Sequence, residues 1–197
     1  MLFEQYFPFS LRLESSRVIM RPLAAEDLEA FWAISQDEDI FTWFTKLLNE
    51  RDQLVAWIGD ALEQRRTHIR FPFTVIDKPT GRVAGSTSLG SISFPDQRIE
   101  IGWTWYGNDF RGTGVNTHCK FLLLEYAFET MDFKRVELKT DALNARSRAA
   151  IRKLGMTEEG ILRSHTAMPR GRRRDSAYYG MLQSEWPEAK AKLLEKL

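Results

Sequence analysis

The chain carries a single cysteine, Cys119, among 197 residues. One thiol closes no internal disulfide, and its isolation suits a reducing compartment. Histidine is also scarce. Three are present, and together with the one cysteine they are too widely scattered to make a zinc site. No apolar run approaches the ~18–20 residues of a membrane span. The start, Met1 to Phe7, lacks a basic segment and carries Glu4, so it does not read as a signal peptide. Basic residues exceed acidic ones by only 28 to 27, and a net charge of +1 gives no general attraction to nucleic acid or membrane. There is no internal repeat, low-complexity segment or Ser/Gly linker. These absences predict a cytoplasmic protein with no metal, no membrane contact and no direct DNA binding.

What is present fits one soluble domain over residues 1–197, with 43% hydrophobic and 28% charged residues. The first ten residues are aromatic and irregular. Ser16–Arg21 alternates and reads as a strand ended by Pro22. Ala24–Ser35 reads as a helix, with Leu28, Phe31 and Trp32 on one face and acids near its start. Asp37–Leu48 is a loop or broken helix whose aromatics, Phe41, Trp43 and Phe44, either plug the core or wall a substrate site. Asn49 is placed to cap a second helix reaching Arg66. Strands at Phe71–Asp77, Val83–Ser93 and Arg98–Tyr106, joined by turns at Lys78–Gly81 and Pro95-Asp96, form an antiparallel meander. A helix over Asn116–Met131, a strand at Arg135–Thr140 and a short helix at Asn144–Leu154 follow, the last closed by Gly155. Strands at Thr157–His165 and Ser176–Leu182 flank a basic loop, Met168–Asp175, and a final helix starts near Glu185. This order describes one mixed sheet flanked by helices.

The stretch Arg111-Gly112-Thr113-Gly114-Val115-Asn116-Thr117 lies between a strand and a helix. Gly112 and Gly114 permit a tight turn and a close backbone approach. The free amides of a helix start carry partial positive charge and favour anionic oxygens, and Arg111 adds a guanidinium fork. These residues make a phosphate cradle or an ordinary strand-to-helix turn. One βα unit later comes Asp141-Ala142-Leu143-Asn144-Ala145-Arg146-Ser147. Asn144 is a good N-cap, and Ser147 stands three residues on. Two polar helix starts side by side, at strand C-terminal ends, can hold the two ends of a long phosphorylated cofactor.

With Gly112-x-Gly114 after a strand and Arg111 in front, then Asn144-x-x-Ser147 and Lys153-Leu154-Gly155 after the next strand, the sequence resembles the GNAT superfamily of acyl-CoA N-acyltransferases. It is most similar to the Rim-type branch of ribosomal-protein N-terminal acetyltransferases. Val18–Leu23, Glu100-Ile101-Gly102-Trp103 and Glu159–Arg163 add to the likeness, which covers roughly residues 13–186. The resemblance implies an α/β (α+β) fold: a mixed, mostly antiparallel central sheet flanked by helices and splayed between its two central strands. It implies transfer of acetyl from acetyl-CoA, with no metal, to a protein N-terminal or small-molecule amine. It places the coenzyme A pyrophosphate on Arg111, Gly112, Thr113, Gly114, Val115, Asn116 and Thr117, and the pantetheine arm along Thr104, Trp105 and Tyr106. Asn144 would bond that arm, and Ser147 would stand near the sulfur. The tyrosine acid of many members falls at Ile151 here, which moves the candidate acid to Ser147.

Direct transfer needs a neutral amine, an oxyanion donor, a base and, with less demand, an acid for the thiolate. Glu100, on the strand before the cradle, is the candidate base, directly or through water; a cross-strand partner for a basic residue is its other reading. His118 reads as solvated or capping, and Cys119 as core rather than an acetyl relay. The run Arg170-Gly171-Arg172-Arg173-Arg174 is a solvated hairpin tip, or a grip for the cofactor's 3′-phosphate, an acidic acceptor or RNA. A catalytically silent coenzyme A sensor or ribosome-associated module is the alternative function. Monomer and homodimer both stay open.

Overall fold

The structure is a computed structural model describing residues 2–197. Its eight strands join one sheet in the order β1-β2-β3-β4-β5-β6-β8-β7. The strands are β1 (Leu13–Glu14), β2 (Val18–Pro22), β3 (Arg70–Asp77), β4 (Val83–Ser93), β5 (Arg98–Tyr106), β6 (Arg135–Asp141), β7 (Thr157–Ala167) and β8 (Arg173–Leu182). All neighbours run antiparallel except β5 and β6. The main helices are α1 (Leu2–Tyr6), α2 (Leu28–Trp32), α3 (Arg51–Arg66), α4 (Val115–Glu125), α5 (Ala145–Lys153) and α6 (Trp186–Leu194).

Strict alternation along β3 shows how the sheet divides two cores. Phe71, Phe73 and Val75 pack with Ile99, Ile101, Val115, Cys119 and Leu123 beneath α4. The intervening Arg70 and Thr74 point to the other face, where α2 and α3 cover Phe31, Trp57, Ile58 and Trp105. A strand sends successive side chains to opposite faces, so each face can be apolar for its own reason.

The central opening sits between β5 and β6. They pair only at Arg98↔Arg135, Ile99↔Val136 and Glu100↔Glu137. Beyond Glu100, β5 runs on to Tyr106 and β6 to Asp141 without meeting, so the two strand ends splay. On its other side, β5 slips register against β4 between Ser86↔Trp105 and Ser88↔Gly102. The extra residue puts Trp103 at φ 51, a left-handed conformation costly for a bulky side chain.

Several local expectations are corrected. The first ten residues include the short helix α1, and a two-residue strand precedes β2. Pro22 ends β2 inside the pairing, opposite Phe73. The helix expected over Ala24–Ser35 is a 3-10 turn, Ala25–Asp27, followed by the five residues of α2. Asp27 turns inward rather than serving the helix dipole. It is 4% exposed and accepts from Arg21 Nη1 (2.9 Å), the Ala24 amide (3.0 Å) and the Thr74 hydroxyl (2.6 Å). Asn49 does not cap α3; Glu50 holds that position without a side-chain bond, and Asn49 Oδ1 is buried and unpaired. The helix after the cradle begins one residue early, at Val115, and its last turn, Tyr126–Thr130, widens to a π-helix. β7 and β8 extend into the expected basic loop, which shrinks because hairpin pairing continues to Ala167↔Arg173.

Burial pushes the Asp27 carboxyl up, but the bonds from Arg21, Thr74 and the Ala24 amide outweigh it and hold the group below its ordinary 3.8. A depressed carboxyl stabilises the fold above its unfolded value, and that contribution is lost as pH falls through the folded value. Asp27→Asn is therefore expected to cost about 3 kcal/mol in urea unfolding at pH 7. It should also flatten the loss of stability below pH ~4. An unchanged midpoint and acid slope would show that the Arg21–Asp27–Thr74 cluster contributes nothing net.

Candidate functional site

Two helix starts open beside the splay. The first is the N-terminus of α4. Gly114 is its N-cap at φ 91 with no capping side chain, and Gly112 turns at φ 75. Residues 112–114 are exposed, and a Cβ on Gly112 would meet nothing within 4 Å. The first helical amides, from Val115 to Thr117, have no partner within the helix, so they present an unmet row of donors. Thr113 does not cover them, because its hydroxyl donates to the Phe110 carbonyl at 2.8 Å.

Arg111 behaves differently from the expected phosphate fork. Its Nη2 donates to the Ile40 carbonyl at 2.9 Å, tying the cradle to the 3-10 turn Glu38–Phe41. Burial lowers its hold on the proton, and the nearby Arg146 charge lowers it further. Arg146, at the start of α5, is exposed. The Asp37 and Asp39 carboxylates offset part of this positive charge. Arg146 lay inside the second motif, but only the folded chain brings its charge near Arg111.

The second start is α5. Asn144 is its N-cap, and its Oδ1 accepts from the Ser147 amide at 3.0 Å. The cap uses the backbone of Ser147. The Ser147 hydroxyl and Asn144 Nδ2 have no hydrogen-bond partner among the described residues. Ile151, where a tyrosine acid would stand, is 4% exposed and part of the core.

Between these starts lies the unpaired edge of β5. The side chains there are anchored away from it. Trp105 is buried among Phe31, Phe41 and Trp57, and Tyr106 is buried against α4. Phe41 is thereby a core plug, Phe44 packs against it, and Trp43 stays half-buried under Arg172. Thr104 bonds Thr87 across the bulge at 2.8 Å and accepts from Lys120 Nζ, also at 2.8 Å. Lys120 is buried with no carboxylate partner, and burial lowers its ammonium to about 8. His118 is buried rather than solvated, its Nδ1 unpaired; burial and then the Arg17 charge lower its affinity for a proton. Burial pushes the Cys119 thiol up to about 12, so it stays protonated and cannot act as a nucleophilic relay.

On the opposite face from α4, Glu100 is 5% exposed at the last joined residue of the splay. Its Oε2 accepts from Lys139 Nζ and Ser91 Oγ, both at 2.9 Å. A cross-strand basic partner is therefore present. Both donors use one oxygen, which leaves Oε1 with free lone pairs. Beyond Lys139, Tyr178, His165, Ser176 and Arg174 continue the polar face along β8 and β7; of the five only Arg174, as part of the basic run, was singled out in the sequence. The tip of the basic hairpin is solvent-exposed, as expected, and is also tied down, with Arg170 on Glu38 and Arg172 on Asp141.

Among the described residues no His/Cys/Asp/Glu group could hold a metal ion, and no helix is long and apolar enough to cross a membrane. A profile of the acetyltransferase (GNAT) domain matches residues 17–157. A protein of Bacillus subtilis strain 168, provisionally named a ribosomal N-acetyltransferase, YdaF, is 33% identical over 106 residues. That match covers 54% of this chain and 57% of the relative. The uncharacterised N-acetyltransferase p20 of Bacillus licheniformis is 26% identical, over 88% of this chain and 97% of its own. A GCN5-related N-acetyltransferase from Brucella melitensis superposes with a TM-score of 0.87 at 30% identity, over 95% of this chain and 86% of that one. RimJ of Mycobacterium smegmatis, solved with CoA-disulfide, shares the fold at a TM-score of 0.78 and 21% identity, over 91% and 88% of the two chains. The open helix start beside a splayed sheet and these likenesses agree: the chain belongs to the GNAT acetyltransferase family and is an N-acetyltransferase.

Proposed function

We propose that the protein moves an acetyl group from acetyl-CoA directly to a primary amine, with a protein N-terminus as the acceptor. The observation that carries this reading is the uncapped α4 N-terminus opening onto the unpaired edge of β5. Coenzyme A supplies the acetyl group as a thioester. The amides of residues 112–117 are suited to its pyrophosphate, with Arg146 adding charge and Arg111 fixing the loop. The free β5 edge at Thr104–Tyr106 can pair with the pantetheine amides as an added strand would. Asn144 Nδ2 is a free donor for the same arm. Gly112 and the exposed loop leave room for these contacts.

In the transfer, the amine nitrogen forms a bond to the thioester carbon, the carbon–sulfur bond breaks, and the amine loses a proton. Glu100 Oε1 is the proposed acceptor of that proton, through water, because the group is buried and Oε2 is occupied. Ser147 Oγ, free of the cap, is the proposed donor to the departing sulfur. A thiol's ordinary value near 8.5 makes that demand small. Holding both reactants at the splay supplies much of the rate, since proximity alone is worth roughly 7–11 kcal/mol. A ribosomal name among the relatives supports a protein acceptor, and the single buried thiol suits the reducing cytoplasm.

Titration calorimetry tests the donor site. In Gly114→Trp, coenzyme A binding should be lost; only His118 Cδ2, at 3.9 Å, lies near a Cβ there, so packing allows the fold to persist, although φ 91 strains any side chain. Arg146→Ala should weaken binding about fivefold. Full affinity in a folded Gly114→Trp protein would overturn the cradle assignment.

Turnover tests the chemistry. Glu100→Gln should slow coenzyme A release on the order of 100-fold, while normal rates would leave Glu100 as a partner of Lys139 only. Ser147→Ala keeps the backbone cap, so its melting temperature should hold while turnover drops roughly tenfold. A rate equal to the parent's would remove Ser147 from the chemistry.

A further inference from the structure

The sheet face opposite α4 carries more fixed positive charge than its own carboxylates balance. Arg174 on β8 is 7% exposed. Its Nε donates to Ser176 Oγ at 2.9 Å, and no carboxylate lies within ion-pair distance among the described residues. Arg70 on β3 is 1% exposed and likewise lacks a carboxylate within that distance. It bonds Gln64 and Ser88 and lies between the rings of Trp57 and Trp103, 5.8 and 5.1 Å from their centroids. Lys139 is matched by Glu100, and Arg172 by Asp141. Two buried guanidinium groups thus lack a carboxylate in direct contact on one face, Asp141 and Glu100 acting on Arg174, and Asp60 on Arg70, only from further off. A buried charge without a counter-ion is costly, and proteins keep one where an absent partner supplies the opposite sign.

The register places these charges relative to the splay. Glu100 stands level with Glu137, and Lys139 is two residues further along β6, directly opposite Tyr178. Arg174 reaches back along β8 to Ser176, which is opposite Asp141. At ~3.4 Å per residue, the Arg174 bond to Ser176 is ~7 Å beyond the level of Tyr178. His165, bonded to Ser176 at 3.0 Å and 3.4 Å from the Tyr178 hydroxyl, fills the interval from β7. An extended peptide with its amine at Glu100 would bring the side chains of its second and third residues to this stretch.

We infer that this face is the acceptor site and selects amines followed closely by a carboxylate: protein N-termini with an acidic second or third residue, whose carboxylate pairs with Arg174. This rests on the acetyl-transfer reading only for which end of the peptide lies at Glu100. The charge complementarity is a property of the face itself. Arg70, sealed behind Trp103, adds to the potential without touching the acceptor.

The experiment uses the full chain saturated with coenzyme A and three hexapeptides labelled at the C-terminus with fluorescein. They begin alanine-aspartate-glutamate, alanine-asparagine-glutamine or alanine-lysine-lysine and are otherwise identical. Fluorescence anisotropy should give the acidic peptide about tenfold tighter binding than its amide counterpart, and the basic peptide the weakest. The gap should narrow as salt rises. Arg174→Met should remove the preference while coenzyme A affinity stays at the parent value, and Arg174→Lys should restore part of it. Equal binding of all three peptides by the parent protein, or an undiminished acidic preference in a folded Arg174→Met protein, would overturn the inference. Coenzyme A release from acetyl-CoA is followed in parallel. Acidic-peptide binding without release would sink the proposed transfer to such peptides and leave the charge selectivity standing. Release from all three with equal affinities would do the reverse.

Discussion

Three pairs of residues hold the centre of the molecule together, and everything functional depends on their being only three. β5 and β6 are the only parallel neighbours in the sheet, and their ladder stops at Glu100↔Glu137. Had it continued, the carbonyls and amides of Thr104–Tyr106 would be spent on β6, and no polar edge would face the opening. Two features oppose continuation. The bulge at Trp103 bends β5 away, with a backbone conformation that only surrounding contacts can sustain. Gly90 supplies one of those contacts by lacking a side chain: a Cβ there would stand 2.6 Å from the Trp103 ring. The Glu100–Lys139 pair then joins the strands at the point of divergence, closing the apex of the splay while leaving its mouth open.

The opening divides the sheet into two electrostatic environments. On the α4 side the polarity comes from the backbone, as the unmet amides of a helix start and a strand edge. Its side chains are mostly apolar, and the exceptions, Lys120 and His118, are buried in states where burial disfavours charge. On the other side the polarity comes from side chains, Lys139, Tyr178, His165 and Arg174, displayed on antiparallel strands whose register brings them together. A donor shared by many enzymes can be held by backbone groups, which any sequence provides once Gly112 and Gly114 allow the turn. An acceptor particular to one enzyme has to be read by side chains.

That division explains what was legible in the sequence. The cradle was visible because it is local: a strand, two glycines and a helix start lie within ten residues, and the positive φ values at Gly112 and Gly114 are what those glycines are for. Asn144 was visible for the same reason, since an N-cap and the amide it serves are three residues apart. The bond from Arg111 to the Ile40 carbonyl could not be read, because that partner is 71 residues away. Asn49 lost its capping position to Glu50, and Asp27 left the helix surface for Arg21, six residues before it, and for Thr74, 47 residues on, a contact that no window of sequence contains. Glu100 had two readings, and the cross-strand partner is present. The identity of that partner, Lys139, required the parallel pairing of β5 with β6, which skips an entire helix.

The same reasoning locates where relatives of similar fold can differ in acceptor. Substituting a side chain at Arg174 or Lys139 leaves the α4 amides, the Gly112–Gly114 turn and the β5 edge unchanged. The face opposite α4 can therefore change its charge without disturbing the α4 side of the opening. The constraint runs the other way at Trp103 and Glu100. They stand where the bulge and the apex set the width of the splay, so a change there reshapes both sides of the opening at once. Charge placed on β8 is coupled to the chemistry only through the acceptor it recruits. Charge placed at the apex is coupled to the geometry on which the transfer depends.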